Sequence, residues 1–385
     1  MDCGKTVAKS GTPIKILIGG SPCTKWSIAQ KNGREVLPEG IGWELFENYR
    51  IAKEKFQPDI FLYENNKSAA QPIKDEIYSA LGGGKDSSVR LTHIDSALVS
   101  AQHRERFYVT NFGDIEQPKD RGILLRDVLE TDWATDHSNY YRLESVVPIN
   151  TTTDGKARTV KAQYHHSSMA NFVTNGGFPA TAVATPIRIG TIESNVKNKS
   201  HDSKQYRVYS PDGKATTLCG QGGGVGAKTG LYACPTNEID GKPIYTVKNG
   251  LITVKDKQYP INLADGYYFI RKLTPLECER LQTLPDGYTS GVSDTQRYRA
   301  IGNGWTAEVI IHILNHALRD VPKNKELVVM SMYDGIATGR YCLDKMGFTN
   351  VKYYAYEIDP YAQKIAMSNY PDIVQCGDAF QIRNF

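Results

Sequence analysis

Hydrophobic and polar positions follow three regimes along the chain. From position 14 to about 113, short apolar runs alternate with stretches of helical spacing. Ile14–Ile18 ends in Gly19-Gly20 and reads as a buried strand with its turn, and Trp43–Lys55 carries apolar residues at helical intervals. Asp59–Tyr63 reads as a second strand, Ile73–Leu81 as a second helix and Arg106–Thr110 as a further strand. This alternation predicts a parallel sheet with helices on its faces.

After about residue 115 the helical period fades, Thr, Asn, Tyr, Gly and Lys become dense, and Gly220–Gly226 holds five glycines in seven positions. Residues 115–270 are expected to form a separate module of short strands and long loops. Helical spacing returns at Thr274–Leu281, where Thr274-Pro275-Leu276-Glu277 has the form of a capped helix start, and at Thr306–Leu318. Three more strands follow, at Leu327–Met332, Tyr353–Tyr356 and Ile373–Cys376, separated by two helices. A βαβαβ unit of about sixty residues buries too little area to stand alone. Its strands need neighbours, and the strands near the start of the chain are the candidates. The expected organisation is therefore one α/β, doubly wound sheet of six or seven strands, contributed by segments 1–114 and 271–385, with the mostly-β module 115–270 inserted between them.

Composition narrows the class without naming it. With 40% hydrophobic and 23% charged residues, the chain can bury a sizeable core. No run of about 18 apolar residues is present, and the first residues lack the apolar stretch of a secretion signal, so a cytoplasmic protein without a membrane span is expected. The seven cysteines are scattered and never form C-x-x-C, which argues against a disulfide framework and a zinc site. His165-His166 has no third ligand nearby in sequence, and no metal is assigned. Net charge is only +4, but residues 181–260 hold eleven Lys/Arg against six Asp/Glu. A basic excess concentrated in one module suits a polyanion partner, although a solvated loop region has the same composition.

The last βαβαβ unit carries candidate cofactor chemistry. Tyr333-Asp334-Gly335-Ile336-Ala337-Thr338-Gly339 follows a strand and opens a helix, where glycines admit a ligand to the backbone and the helix start favours a carboxylate. Glu357, twenty-two residues past Gly335, stands at the offset of a ribose-binding acid, and Asp378 ends the third strand where it can accept from an adenine amino group. A Gly-rich turn alone is more simply a tight βα turn; three aligned strand ends point to a nucleoside. The spacing departs from G-x-G-x-x-G, which favours S-adenosylmethionine over a dinucleotide. Gly82-Gly83-Gly84-Lys85 lacks the spacing of a phosphate loop.

At the other end, Gly19-Gly20-Ser21-Pro22-Cys23 places a cysteine at the carboxyl end of a strand, where open α/β sheets bind ligands. Taken alone, Cys23 reads as a buried small hydrophobe. Its companions change the reading. Glu64-Asn65 ends the next strand, and Gln102-His103-Arg104-Glu105-Arg106 puts Arg104 and Arg106 at i and i+2, on one side of an extended strand, where arginines grip a phosphate or carboxylate. Singly, Glu64 reads as a solvated carboxylate and the arginines as surface ion pairs.

Cys after Ser-Pro, Glu-Asn on the next strand and Q-x-R-x-R after that resemble the cytosine-5 DNA methyltransferases. So do the run Arg271–Gln282, Ala300-Ile301-Gly302-Asn303-Gly304, and the cofactor motifs at Tyr333–Gly339, Glu357 and Gly377-Asp378. The motif order departs from that family, whose cofactor strands usually precede the catalytic cysteine; the resemblance implies a circularly permuted, Rossmann-like methyltransferase sheet. Thr24, Asn66 and Tyr333 stand where Gln or Asn, Val and Phe are usual, and Asp334–Gly339 is similar to the animal de novo and phage branches.

The resemblance implies that Cys23 adds to cytosine C6 while Glu64 holds N3 protonated, with Arg104 and Arg106 orienting the base, Glu64 or the sugar-phosphate. It implies S-adenosyl-L-methionine as methyl donor, lined by Pro22, Asn303, Tyr333, Asp334, Gly335, Ile336, Gly339, Glu357, Ile358, Asp378 and Ala379. Double-stranded DNA is the expected partner of a monomer acting in a bacterial or phage-infected cell. The inserted module would recognise the target through Arg188, Arg207, Thr217, Gly223 and Lys228, arginines reading guanine edges and lysines or amides gripping phosphate; each of these could equally serve only to pack the module. A tRNA cytosine-5 methyltransferase would share the chemistry but need less of the module. A catalytically silent DNA-binding relative would have no need of the intact catalytic set, and a small-molecule methyltransferase no use for the basic module.

Overall fold

The computed structural model describes residues 12–27, 33–85, 87–130, 146–148, 185–192, 207–220, 230–236, 245–254, 257–261 and 263–384. Its strands are β1 (Ile14–Gly19), β2 (Ile60–Asn66), β3 (Arg90–Asp95), β4 (Glu105–Thr110), β5 (Val146–Pro148), β6 (Arg188–Ile192), β7 (Arg207–Tyr209), β8 (Leu231–Thr236), β9 (Tyr245–Lys248), β10 (Leu251–Val254), β11 (Lys257–Pro260), β12 (Gly266–Arg271), β13 (Leu327–Met332), β14 (Val351–Tyr356) and β15 (Val374–Gly377). The helices are α1 (Gly40–Phe56), α2 (Gln71–Ala80), α3 (Pro275–Leu281), α4 (Asp294–Asn303), α5 (Ala307–Leu318), α6 (Thr338–Lys345) and α7 (Pro360–Asn369).

The chain divides into two compact units. One contains residues 1–96, 105–118 and 282–385; the other contains 97–104 and 119–281. The expected segment limits near 114 and 270 differ from this division in two places. The short segment 97–104 joins the second unit through backbone hydrogen bonds such as His103 N to Ala215 O. The second unit also runs on to Leu281, because the fully buried Arg271 at the end of β12 forms a two-pronged pair with Glu277 of α3. Glu277 in turn accepts from Thr274 N–H while its own N–H donates to the Thr274 hydroxyl, the reciprocal cap expected at this helix start.

The first unit is built on a seven-stranded sheet of order β15-β14-β13-β1-β2-β4-β3. The first strand of the chain lies mid-sheet, parallel to β13 on one side, in register from Ile14↔Leu327 to Gly19↔Met332, and to β2 on the other. Burial explains the position. Every residue of β1 except Lys15 is buried, as expected of a strand covered on both faces. Leu17, Phe46, Tyr49, Phe61, Tyr63, Phe107 and Met332 share one core cluster, each fully buried aliphatic or aromatic side chain contributing about 1.5–3 kcal/mol.

One edge of this sheet departs from the parallel expectation. β4 runs antiparallel to both β2 and β3, and β3 was not anticipated. The continuous apolar run Phe107-Tyr108-Val109 reads the same in either direction, so periodicity could not decide it. The reversal matters for chemistry: it brings the beginning of β4, not its end, to the carboxyl edge of β1 and β2.

The second unit contains an eight-stranded sheet of order β11-β10-β9-β12-β8-β7-β6-β5, mostly antiparallel with one parallel pair, β7 with β8. Its core includes Val208, Leu231, Ala233, Val247, Ile252 and Ile270. Lys214 is buried completely, its ammonium donating to the carbonyls of Ser100 and Ile123.

Candidate active site

The turn after β1 is shaped by what lies beneath it. A Cβ on Gly20 would stand 2.5 Å from the Glu64 carbonyl oxygen and 2.9 Å from Glu64 Oε2. Only glycine allows the Cys23 turn to approach the end of β2 this closely. The turn is then tied down by Asn65, whose side-chain amide donates to Ser21 O at 2.9 Å and to the Tyr63 hydroxyl at 3.0 Å. Ser21 Oγ and Tyr63 OH are 2.7 Å apart. Pro22 is exposed and leads into a single 3-10 turn, Cys23–Lys25, closed by Trp26 N–H and Ser27 N–H donating to Cys23 O.

Cys23 is half-buried. Burial pushes the thiol of Cys234 up to about 12 and raises that of Cys342 further, which removes both as nucleophiles near neutral pH. Cys23 is set apart from them by its half-buried place on a strand-end turn whose Gly20 lies against Glu64.

Glu64 lies inside β2 rather than after it, and its carboxylate is held at both oxygens. Arg106 Nε donates to Oε1 at 2.9 Å, with the two side chains only 10% and 13% exposed, so solvent screens the pair weakly. The antiparallel register pairs Asn66 with Arg106 and Glu64 with Tyr108, which places Arg106 diagonally across from Glu64 on the same face. Trp305, in the turn between α4 and α5, donates its indole N–H to Oε2 at 3.0 Å.

The expectation that Arg104 and Arg106 act side by side is corrected here. Arg104 precedes β4, is buried, and donates to Leu218 O at 3.2 Å within the second unit. Backbone pairing of residues 102–103 with the Ala215 segment ends the extended alternation before β4 begins. Trp305 was the residue that sequence reading missed. A tryptophan directly after Gly302-Asn303-Gly304 was its only signal.

The other strand ends at this sheet edge present carboxylates. Gly335 adopts a left-handed backbone, φ 67°, and a Cβ there would point into open space, so conformation alone demands glycine and leaves an approach to the backbone. Tyr333 and Ala337 flank it with φ of 59° and 61°, a conformation that non-glycine residues hold at a cost of about 1–2 kcal/mol. The neighbours over-determine it. Tyr333 OH donates to Leu45 O at 2.7 Å and accepts from Asn48 Nδ2 at 3.0 Å, and Tyr288 OH donates to Ile336 O at 2.8 Å.

Glu357 follows β14 and accepts from three amides, Gly335 N–H at Oε2 and Ile358 and Asp359 N–H at Oε1, all at 2.8 Å. Ile358 beside it is 69% exposed. Asp378 after β15 is exposed and accepts from Phe380 N–H at 2.9 Å; Ala379 is buried behind it. Asp334 Oδ1 accepts from Tyr353 OH at 2.6 Å, while its buried Oδ2 has no partner among the described residues. Burial, the largest influence, pushes the Asp334 carboxyl up to about 6. Gly339 is buried in α6 and Asn303 ends α4 with its side chain exposed.

These groups fit an aminoacyl nucleoside. Glu357 retains acceptor capacity for ribose hydroxyls after three amide bonds, the open side of Gly335 admits an aminoacyl tail, and exposed Ile358 offers a flat apolar contact. No cluster of side chains able to hold a metal ion occurs among the described residues, and no described helix is long and apolar enough to cross a membrane.

In the second unit, Arg188 and Arg207 open β6 and β7 and are half-buried. The Thr217 hydroxyl donates to His103 O at 2.7 Å, a bond within the unit. Gly223 and Lys228 lie outside the described residues, as does the pair His165-His166.

Comparison with known proteins gives a concordant result. The profile of C-5 cytosine-specific DNA methylases matches residues 4–319, ending before β13. The type II methyltransferase M.HhaI of Haemophilus parahaemolyticus is 25% identical over 315 residues, covering 78% of this chain and 73% of that protein. The orphan methyltransferase M.SPBetaI of Bacillus phage SPbeta is 31% identical over 163 residues, covering 35% of this chain and 34% of that protein. Among solved structures, the Entamoeba histolytica methyltransferase EhMeth aligns with a TM-score of 0.45 at 11% identity, covering 80% of this chain and 78% of that one.

Proposed function

Because the chain belongs to the C-5 cytosine-specific DNA methylase family, and so is a DNA (cytosine-5) methyltransferase dependent on S-adenosylmethionine, we propose that Cys23, Glu64 and Arg106 perform its chemistry on a cytosine flipped from double-stranded DNA. The observation that carries this reading is the closeness of the Cys23 turn to Glu64, imposed at Gly20, on a sheet edge shared with the ends of β13 and β14.

Cytosine C5 is a poor nucleophile. Cys23 Sγ, as thiolate, forms a bond to C6, and the displaced electron pair moves toward N3, which Glu64, having taken up a proton from solvent as the base enters, holds protonated. The ring then behaves as an enamine with nucleophilic C5. S-adenosylmethionine, when bound, supplies an electrophilic methyl group. Loss of the C5 proton to solvent, return of the N3 proton to the Glu64 carboxylate and departure of the Cys23 thiolate restore the aromatic ring. Arg106 keeps Glu64 oriented and limits the cost of its charge in a half-closed site. Flipping the base costs a few kcal/mol, recovered in contacts within the pocket.

The cofactor is held by the Tyr333–Gly339 turn including Asp334, Gly335 and Ile336, by Glu357 and Ile358, and by Asp378 and Ala379, with Pro22 and Asn303 completing the lining. The second unit reads the target sequence, with Arg188 and Arg207 as base or phosphate contacts and the basic segment around Gly223 and Lys228 as a phosphate grip. Arg104 fixes the Leu218 segment of that unit. The enzyme acts as a monomer in the cytoplasm of a bacterial or phage-infected cell.

The test is incubation with S-adenosylmethionine and either plasmid DNA or tRNA, followed by bisulfite sequencing. Marks are expected on DNA in one short context, and none with Cys23→Ala. Methylation surviving that substitution contradicts the mechanism.

A further inference from the structure

The two oxygens of Glu64 are not equivalent. Oε1 is bound by the Arg106 guanidinium at 2.9 Å, whereas Oε2 is bound by a neutral donor, the Trp305 indole, at 3.0 Å. Oε2 is also the carboxylate oxygen nearer Gly20, 2.9 Å from where a Cβ would stand, so it faces the Cys23 turn. On the role proposed for Cys23, a base attacked from that turn would meet Glu64 on this side.

Trp305 is aimed by a rigid support. Gln282 is fully buried and donates to Ile301 O at 2.8 Å and Gly304 O at 3.2 Å, while its carbonyl accepts from the Thr306 hydroxyl at 2.8 Å. Ser96 Oγ donates to Thr306 Oγ1 at 2.9 Å. The residues on both sides of Trp305 are thus pinned by one side chain.

We propose that Trp305 is a positioning residue for the acid: its indole N–H sets the rotation of the Glu64 carboxylate and holds Oε2 until a cytosine takes its place. An indole N–H donates and cannot accept, so it holds Oε2 as an acceptor and leaves no room for a proton directed toward it. Because a bond to a guanidinium is stronger than one to a neutral donor, exchange with the substrate occurs at Oε2 while Arg106 keeps Oε1. Among the described residues, the charged and titratable groups found against Glu64 are Arg106 on β4 and the Tyr63 phenol on its own strand, which burial raises out of the working range, while Cys23 lies on the turn whose Gly20 adjoins Glu64.

The inference rests on the role proposed for Glu64. The experiment is single-turnover methylation of plasmid DNA across pH by the full chain, comparing wild type with Trp305→Phe, which keeps an aromatic ring and deletes the donor. The expected rate loss is about 10–100-fold, the range for a hydrogen bond to a charged group. The limb of the pH profile that Glu64→Gln removes should move to higher pH, and cofactor affinity should change less than the rate. Should Trp305→Phe fail to fold, site-specific replacement of Trp305 by β-(3-benzothienyl)alanine, which has the indole shape without its N–H, is read in the same way. A wild-type rate and an unmoved limb, or a loss confined to cofactor affinity, overturns the inference. If Glu64→Ala is itself fully active, the role of Glu64 fails; if that variant is inactive while Trp305→Phe behaves as wild type, only the positioning role falls.

Discussion

The two halves of the seven-stranded sheet end in carboxylates that are held in opposite ways. On the β13–β15 side, Glu357 is gripped by three main-chain amides and Asp378 by a fourth. On the β2 side, Glu64 is gripped by two side chains, Arg106 and Trp305. Main-chain donors are fixed by the fold, whereas side-chain donors can rotate or be exchanged for a ligand. On the roles proposed for these carboxylates, the contrast separates two tasks. A group that only binds gains from being preorganised, while a group that handles a proton needs donors that can yield during the reaction.

The strongest break in this contrast is removal of the charged donor. Arg106→Ala should lower the single-turnover methylation rate by about 10²–10³-fold, within the range for losing a positioned acid. Arg106→Lys should recover only part, because an ammonium lacks the planar guanidinium geometry. A loss confined to cofactor affinity in Arg106→Ala would place the arginine on the wrong half of the sheet.

Much of this arrangement was legible in the amino-acid pattern, and the failures have physical causes. The apolar runs of β1 and β13 read as buried strands, and such strands must have neighbours, which is why one sheet shared by the two ends of the chain followed from sequence; the particular pairing of β1 with β13 is what the structure adds. Strand direction did not follow. Phe107, Tyr108 and Val109 are buried in β4, and a strand buried on both faces has no pattern that encodes its sense. The sequence left open whether Arg106 orients the base, Glu64 or the sugar-phosphate; the structure pairs it with Glu64, whereas in a parallel β4 it would have stood at the opposite edge of the sheet. Arg104 was misjudged because i, i+2 spacing implies a shared face only while the backbone stays extended. Trp305 was invisible because its role depends on a contact with a residue 241 positions away.

Asp334 sharpens the comparison from the cofactor half, where it is the exception. Its Oδ1 is held by a side chain, Tyr353, and its buried Oδ2 is unpaired among the described residues. With the carboxyl raised from 3.8 to about 6, the folded state binds its proton more tightly than the unfolded chain does. The sign follows: this group favours folding below about pH 4, and the contribution is lost as pH rises through 6, leaving a cost on the order of 2–3 kcal/mol above it. Asp334→Asn should therefore raise the unfolding temperature of the ligand-free protein at pH 7.5, with the difference shrinking toward pH 4. A constant difference across that interval would show that the carboxyl does not titrate there. This is the smallest of the effects and is read by thermal unfolding at several pH values.

Both halves act on one substrate only if the strand that carries the Cys23 turn lies beside the strand that carries the cofactor turn. Lys15 and Val328 are register partners on β1 and β13, close enough for a disulfide across neighbouring strands. The most direct measurement is oxidation of the double variant Lys15→Cys, Val328→Cys, with peptide mapping by mass spectrometry and a parallel methylation assay. A linkage between positions 15 and 328 in an enzyme that still methylates DNA is the expected result. Failure of these positions to link in the folded, active enzyme would contradict the pairing on which the active site depends.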